Sequence, residues 1–472
     1  MMNLLLWGTG RDLEEREMDF AGKKVLVVGV GISGIAAAKT AKKLGAEVIL
    51  NDAKPEEEIK YDLTALKEMG VSFCLGRQSE EILAGIDFVI VSPAVPLAIP
   101  LLQAAQQKNI PVLSEVEAAY RLAQAPFYAV TGTNGKTTTV TLLQLLLQQK
   151  YKYVGLGGNV GTPLIEEAQR IPAEGCIVAE ISSYQMEASS TFTPHVAAVL
   201  NVTPDHLARH GSMEVYQQMK EKLFAHQGAD DIAVLNYDDE RTREMAKRVP
   251  GKVCYFSRLH ELKEGAYLEG DMLTMSWQGK KYPVCTVDEL KIKGGHNVEN
   301  ALAAIAAAYF GGVDAEAMKR VLMSFQGVEH RIEPVRTLAG VEYYNDSKAT
   351  NPEAAIKALE TFSGHIILIA GGFDKKTPLD DYNKLILERV DEYILVGDAA
   401  ARFKKSIIEA GYDEKHIHEA GYSMEKAVEL AHKLAKEPQV VLLSPACSSY
   451  DMYDGYEERG RDFKRVVNSL NC

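Results

Sequence analysis

The sequence predicts an α/β protein made of three successive doubly wound units, and three observations carry that reading. Short apolar strands alternate with helical patterns along nearly the whole chain. A glycine-rich turn joins strand to helix at the start of the first unit and again at the start of the second. The length, 472 residues, accommodates about three domains at ~150 residues each.

The first unit, 19–120, opens with strand KKVLVVG, turn VGISG and helix IAAAKTAKKLG. AEVILND follows as a second strand, and IDFVIVSPAVP and IPVLSEVE complete the alternation. The second unit, 121–328, begins with FYAVTGTNGKTTTVTLLQLLLQQ, again strand, loop and helix. CIVAEIS, HVAAVLNVT and DIAVLN read as further buried strands. Residues 250–293 are short, alternating and turn-rich, which predicts a small antiparallel patch, and NVENALAAIAAAYF then reads as helix. In the third unit, 329–472, the strands are GVEYYN, HIILIAGG, EYILVG and QVVLLSP, each followed by a helical pattern. Residues 1–18 are expected to be a disordered tail: MMNLLLW is too short for a signal-peptide core and no basic segment precedes it. Elsewhere no apolar run reaches the ~20 residues a bilayer requires, so no membrane insertion is expected.

A formal charge of −13 argues against nucleic acid or an anionic membrane surface as partner, while leaving room for small anionic ligands at locally basic sites. The six cysteines, Cys74, Cys176, Cys254, Cys285, Cys447 and Cys472, form no CxxC pair or metal spacing. In a chain this long they read as reduced thiols, which predicts a cytoplasmic location.

The loop Gly132, Thr133, Asn134, Gly135, Lys136, Thr137, Thr138 lies between a buried strand and a long helix. That context suits a phosphate cradle, because backbone N–H groups at a helix start point at the anion. The dipole contributes only ~0.3–1 kcal/mol. A triphosphate therefore also needs the cation of Lys136 and a metal held by the Thr137 hydroxyl. The spacing departs from GxxxxGK[ST], so this is a variant P-loop, and the central unit is expected to be P-loop ATPase-like. In the first unit, Gly29-x-Gly31-x-x-Gly34 with Asp52 at the end of the next strand is the dinucleotide fingerprint, Asp52 reaching a ribose hydroxyl. It fits NAD, any nucleotide diphosphate, or close helix–strand packing equally well. The first and third units are expected to be Rossmann-like.

TGTNGKTTT resembles the ATP loop of the Mur ligases. Further motifs of that family follow in order through residues 20–472: GVGISG, SPAVP, GGNVGTP, EISSYQME, NVTPDHLARHGS, GGHNVENALAA, HRIE, NDSKATNP, GGFDKK and SPACSSYDMYDGYEERG. The related folylpolyglutamate synthases usually read GKGS where this chain has GKTT. NDSKATNP and SPACSS favour the branch that adds D-glutamate over the one that adds the third amino acid. The resemblance implies a monomeric enzyme of peptidoglycan synthesis that ligates D-glutamate to UDP-N-acetylmuramoyl-L-alanine at the expense of ATP.

Such a reaction needs the carboxylate phosphorylated, because hydroxide is a poor leaving group; the acyl phosphate then accepts the amine through a tetrahedral intermediate. Two unit charges ~4 Å apart repel by ~4 kcal/mol at an effective dielectric of 20, and two Mg2+ ions are the natural counter-charge. Glu180, closing CIVAE, and His206, after HVAAVLNV, stand at strand ends where a metal ligand is expected. A lone histidine is more often a satisfied structural residue, but the strand-end position and motif of His206 favour function. Lys220 reads by itself as a solvated helix lysine behind a Ser212 cap. The resemblance implies that it is carbamylated by carbon dioxide, which turns a cation into a metal-binding carboxylate; Lys222 is a competing position. The resemblance further implies that Gly31, Ile32, Ser33, Asp52, Ser92, Asn159 and Ser182 take the UDP-linked substrate. Asn297 and Asn300 would lie by the adenine, Arg331 by the nucleotide and Asp346 on the ribose. Lys348, Thr350, Lys375, Ser449, Tyr450 and Tyr456 would border D-glutamate. The family often has leucine at Tyr450 and phenylalanine at Tyr456, so packing there departs from the pattern.

Two rivals differ in class. An NAD-dependent oxidoreductase would rest on Gly29, Gly31, Gly34 and Asp52 but leaves GTNGKTT unexplained. A non-catalytic nucleotide-binding regulator would not need Lys136, Glu180, His206 and Lys220 together.

Overall fold

The computed structural model describes residues 18–470, so the expected tail before Met18, and Cys472, lie outside the described residues. The chain forms two compact units. One holds the residues up to 285 with 300–321; the other holds 286–299 with the residues from 322 onward.

The first unit contains two sheets. Five parallel strands, β1 (Lys24–Val28), β2 (Glu47–Asp52), β3 (Ser72–Leu75), β4 (Phe88–Val91) and β5 (Val112–Ser114), lie in the order β3-β2-β1-β4-β5. The chain winds outward from β1 and returns to β4 on its other side. The carboxyl ends of β1 and β4 therefore border the crevice where ligands of such sheets bind. β4 is buried at every position, as a strand covered on both faces must be. Only VLS of IPVLSEVE is strand: Ser114 accepts the Glu117 N–H and caps the helix Glu115–Leu122.

That helix joins the two sheets. The Glu117 carboxylate, wholly buried, accepts the N–H groups of Ser190, Thr191 and Phe192, each at 3.0 Å, and pairs with Arg121 at 2.9 Å. Glu115 accepts Ile165 N–H at 2.6 Å, and burial pushes its carboxyl up to about 7. Tyr120, Phe127 and Phe192 meet edge to face or tilted beside these contacts, in an apolar core shared by both sheets.

The second sheet comprises β6 (Phe127–Thr131), β7 (Val154–Gly158), β8 (Cys176–Glu180), β9 (Val196–Val199), β10 (Ile232–Asn236), β11 (Lys252–Ser257), β12 (Gly265–Glu269), β13 (Met272–Trp277) and β14 (Lys280–Thr286). Their order is β14-β13-β12-β11-β10-β9-β6-β8-β7, and β7 to β12 are parallel. Residues 250–293 continue this sheet: β11 and β12 join in parallel, and antiparallel pairing sets in at the β12–β13 hairpin.

The second unit carries β15 (Glu333–Leu338), β16 (Val341–Asn345), β17 (Ile366–Gly371), β18 (Val390–Val396), β19 (Ile417–Gly421) and β20 (Val440–Leu443) in the order β15-β16-β20-β17-β18-β19. β15 is antiparallel to β16; the other pairings are parallel. Among the described residues no helix is long and apolar enough to cross a membrane.

Candidate functional site

The chain must turn from β6 into the helix Lys136–Leu147 within four residues, and two glycines at positive φ make the turn: Gly132 at 151° and Gly135 at 86°. At Gly135 a Cβ would stand 2.3 Å from Asn300 Oδ1, so neither the backbone nor the space accepts a side chain. Asn201, two residues beyond β9, clamps the loop. Its side chain accepts Asn134 N–H at 2.8 Å and donates to Asn134 O at 3.1 Å, while its carbonyl accepts Thr133 N–H at 3.0 Å. The buried Thr133 hydroxyl lies 3.1 Å from the Tyr216 hydroxyl. Thr137 and Thr138 are buried in the first helical turn. Lys136 Nζ donates to Gly132 O and Thr133 O, each at 2.8 Å, which holds its ammonium over the loop. A fixed cation at the positive end of a helix has the charge and placement that suit a phosphate.

β8 runs beside β6 with Glu180 opposite Val130, which places Glu180 at the root of this loop. Its side chain is 1% exposed. Oε1 accepts Asn159 Nδ2 at 2.7 Å; Oε2 has no hydrogen-bond partner among the described residues. A buried carboxylate oxygen without a donor is costly, and a divalent cation would satisfy it. Asn159 is held where it is by its own N–H, which donates to Glu180 O at 2.8 Å.

Ser212 accepts Val215 N–H and starts the helix Met213–Glu221. One turn apart on it, Tyr216 and Lys220 are both 1% exposed, with Lys220 Nζ 4.3 Å from the Tyr216 ring centroid. Burial and then the nearby Lys136 charge hold the Lys220 amine well below the usual lysine range, against a smaller opposing pull from Asp205. Lys222 is placed differently: its ammonium donates to Met186 O at 2.9 Å and Glu187 O at 3.2 Å. His206 lies in the left-handed region at φ 54°. Its Nδ1 is 2.9 Å from the Tyr184 hydroxyl and its ring centroid 6.3 Å from that of Tyr216. Thr133, His206 and Lys220 are thus gathered around Tyr216, with Lys136 bonded to the Thr133 carbonyl.

In the first sheet, Ser92 Oγ donates to Gly29 O at 2.9 Å, and Gly34 passes so close that a Cβ would meet Gly29 O at 2.0 Å. Asp52 is engaged by backbone on both oxygens: Oδ2 accepts Val30 N–H, from the same glycine turn, at 2.7 Å and Oδ1 accepts Lys54 N–H at 2.9 Å. Around Gly31, by contrast, the space for a Cβ is open. A cavity of about 200 Å³ is lined by Ile32, Ser33, Pro93, Asn159 and Gln185 among others, bringing the first glycine turn and Asn159 to one place. Ser182 caps its own helical turn in a reciprocal pair with Gln185.

In the second unit, the motifs collect at the carboxyl ends of β16, β17 and β20. Asp346 is buried; it accepts the Ser444 hydroxyl at 2.8 Å, and burial pushes its carboxyl up to about 7. Lys348 Nζ lies 5.3 Å from the Tyr456 ring centroid, and Lys375 Nζ donates to Thr350 O at 3.1 Å. Ser449 is buried, while Tyr450 is 71% exposed beside it. Arg459, buried, ties two of these loops together through Ser347 Oγ at 2.9 Å, Ser347 O at 2.7 Å and Ser448 O at 3.2 Å. Arg331 N–H donates to Val328 O. Asn297 Nδ2 donates to Lys293 O at 2.7 Å, and Asn300 belongs to the first unit, against Gly135. Asn201, Tyr184, Tyr216 and Arg459 were not singled out from sequence. Of these only Tyr216, at i−4 from Lys220, carried a spacing signal.

Comparison with known proteins matches three family models in order: the Mur ligase MurD-like N-terminal domain over residues 23–114, the Mur ligase middle domain over 130–308 and the Mur ligase glutamate ligase domain over 330–447. A relative in Thermoanaerobacter sp. (strain X514), named UDP-N-acetylmuramoylalanine–D-glutamate ligase, is 43% identical over 453 residues, spanning 96% of this chain and 100% of its own. A relative of the same name in Clostridioides difficile (strain 630) is 41% identical over 455 residues, with 96% and 100% covered. The crystal structure of UDP-N-acetylmuramate-alanine ligase from Thermotoga maritima shares the fold at TM-score 0.58 and 21% identity, covering 94% of this chain and 99% of that one. With the three models falling on the three sheets and relatives aligned along nearly its whole length, the chain belongs to the Mur ligase family.

Proposed function

We propose that the chain ligates D-glutamate to UDP-N-acetylmuramoyl-L-alanine, converting ATP to ADP and phosphate, in peptidoglycan synthesis in the cytoplasm. The observation that carries this reading is the rigid loop Gly132–Thr138 with Glu180 at its root, one carboxylate oxygen buried and unsatisfied. The substrate identities rest on the names of the relatives that align over 96% of the chain.

In this reading Lys136 and the loop N–H groups bind the ATP phosphates, and Asn300, Asn297, Arg331 and Asp346 the rest of the nucleotide. Ile32, Ser33, Ser92 and Asn159 face the UDP-linked substrate near the open space at Gly31. Glu180, His206, Thr137 and Lys220 would hold magnesium, which when bound supplies counter-charge for the phosphoryl group and the carboxylate. The buried Lys220 amine suits carbamylation, because only the neutral amine attacks carbon dioxide: its nitrogen bonds to the carbon, one proton leaves, and a carboxylate results. Asn201 and Tyr216 keep the loop in shape while the L-alanyl carboxylate attacks the γ-phosphorus. In the second unit Lys348, Thr350, Lys375, Ser449 and Tyr456 orient D-glutamate, whose amine displaces phosphate from the acyl phosphate. We take the enzyme to be a monomer with domain bounds near 120 and 328.

Phosphate release from ATP is the test. It should require both UDP-N-acetylmuramoyl-L-alanine and D-glutamate. Equal turnover with L-lysine or meso-diaminopimelate would overturn the substrate, and release without any acceptor would overturn the reaction.

A further inference from the structure

His206 sits in the left-handed backbone region, which a non-glycine residue adopts only under constraint, and its ring has a polar neighbour on both sides. Asp205 Oδ1 accepts the His206 backbone N–H at 2.8 Å, and Asp205 Oδ2 lies 3.2 Å from ring Nε2. On the other side Nδ1 lies 2.9 Å from the Tyr184 hydroxyl, which can donate to it or accept from it. Tyr184 is itself anchored: the Arg209 guanidinium lies 5.2 Å over its ring, the His210 ring 5.6 Å from it, and Arg209 is fixed by Glu187 at 2.7 and 2.9 Å.

We infer that Tyr184 is a positioning residue for His206, holding the ring through its hydroxyl at Nδ1 in either tautomer and thereby presenting Nε2 to a divalent cation. The inference rests on reading His206 as a metal ligand. Ligation through Nε2 requires that nitrogen to be unprotonated. In the neutral ring the proton then resides on Nδ1. A hydroxyl serves both arrangements, donating to a bare Nδ1 and accepting from Nδ1–H; a phenyl ring serves neither. Such partners of a metal-bound histidine fix its tautomer and orientation.

The test uses the full chain with Mn2+ as probe, its binding followed by electron paramagnetic resonance with ADP present, in Tyr184→Phe, Tyr184→Leu and His206→Ala. Tyr184→Phe keeps the ring that Arg209 and His210 contact and removes only the oxygen. It should weaken Mn2+ about ten-fold, leave ADP affinity in the absence of metal unchanged, and raise KM for Mg2+ while kcat at saturating Mg2+ is retained. Tyr184→Leu should weaken Mn2+ at least as much. Loss of Mn2+ affinity in Tyr184→Leu but not in Tyr184→Phe assigns the effect to the ring and overturns the proposal. So does wild-type Mn2+ affinity in both Tyr184 variants when His206→Ala has lost it. Unchanged affinity in His206→Ala removes instead the reading of His206 on which the inference stands.

Discussion

Lys220 and Lys222 are two residues apart at the end of one helix, and only their surroundings distinguish them. Lys222 spends its ammonium on two backbone carbonyls, whereas Lys220 is buried against Tyr216 with its amine driven toward the neutral form by burial and by Lys136. Lys220→Ala should therefore lose most of the turnover and regain part of it with acetate or propionate, whose carboxylate replaces the carbamate. Full activity without additives would remove the carbamate from the mechanism, and steady-state phosphate release reads the outcome directly. The sequence left this pair undecided, because a helix register alone does not say which face is dry. An acid ending an apolar strand made Glu180 legible as a candidate, whereas nothing local in the sequence shows that the Asp52 carboxylate accepts the N–H groups of Val30, in the glycine turn, and of Lys54.

At the scale of elements, the loop between β6 and its helix works only as long as two glycines adopt positive φ and Asn201 holds both faces of Asn134. Gly135→Ala places a methyl group against Asn300 and strains the backbone as well, so ADP binding measured by titration calorimetry should weaken at least ten-fold. Adding Asn300→Ala clears the space but not the φ, and should restore little; wild-type affinity in Gly135→Ala would mean that the loop is not the phosphate cradle. The long buried strands and this loop were legible because apolar runs between turn residues have few other uses. β15 and β19 are half-exposed edge strands without an apolar run, β3 is an edge strand only four residues long, and three of the five residues of β7, VGLGG, are glycine, so none of them stands out in the sequence. β11 and β12 pair in parallel although they are consecutive, an arrangement that turn-rich local composition does not signal, so it gave only the antiparallel β12–β13 hairpin.

For the molecule as a whole, the joint between the first two sheets couples stability to pH. The Glu115 carboxyl is raised to about 7 by burial from an ordinary value of 4.5. The folded state thus binds its proton where the unfolded chain has released it. The contribution is present in full below the unfolded value and is lost as pH rises through 7, by at most ~3 kcal/mol. Urea denaturation at pH 5 and pH 8 should show wild type losing stability over that interval and Glu115→Gln losing less. Equal slopes would show that the carboxyl ionises freely in the fold. Glu117, a few residues on, stays charged in its ring of three amides and Arg121. Between them lies apolar surface that belongs to neither sheet alone. A gene split near residue 120, tempting because a nucleotide-sugar fragment would be convenient for screening, would hand each half one side of that surface. Both pieces should then aggregate on expression, and a cut after the segment bearing Phe192 would be no better, since it severs the central sheet.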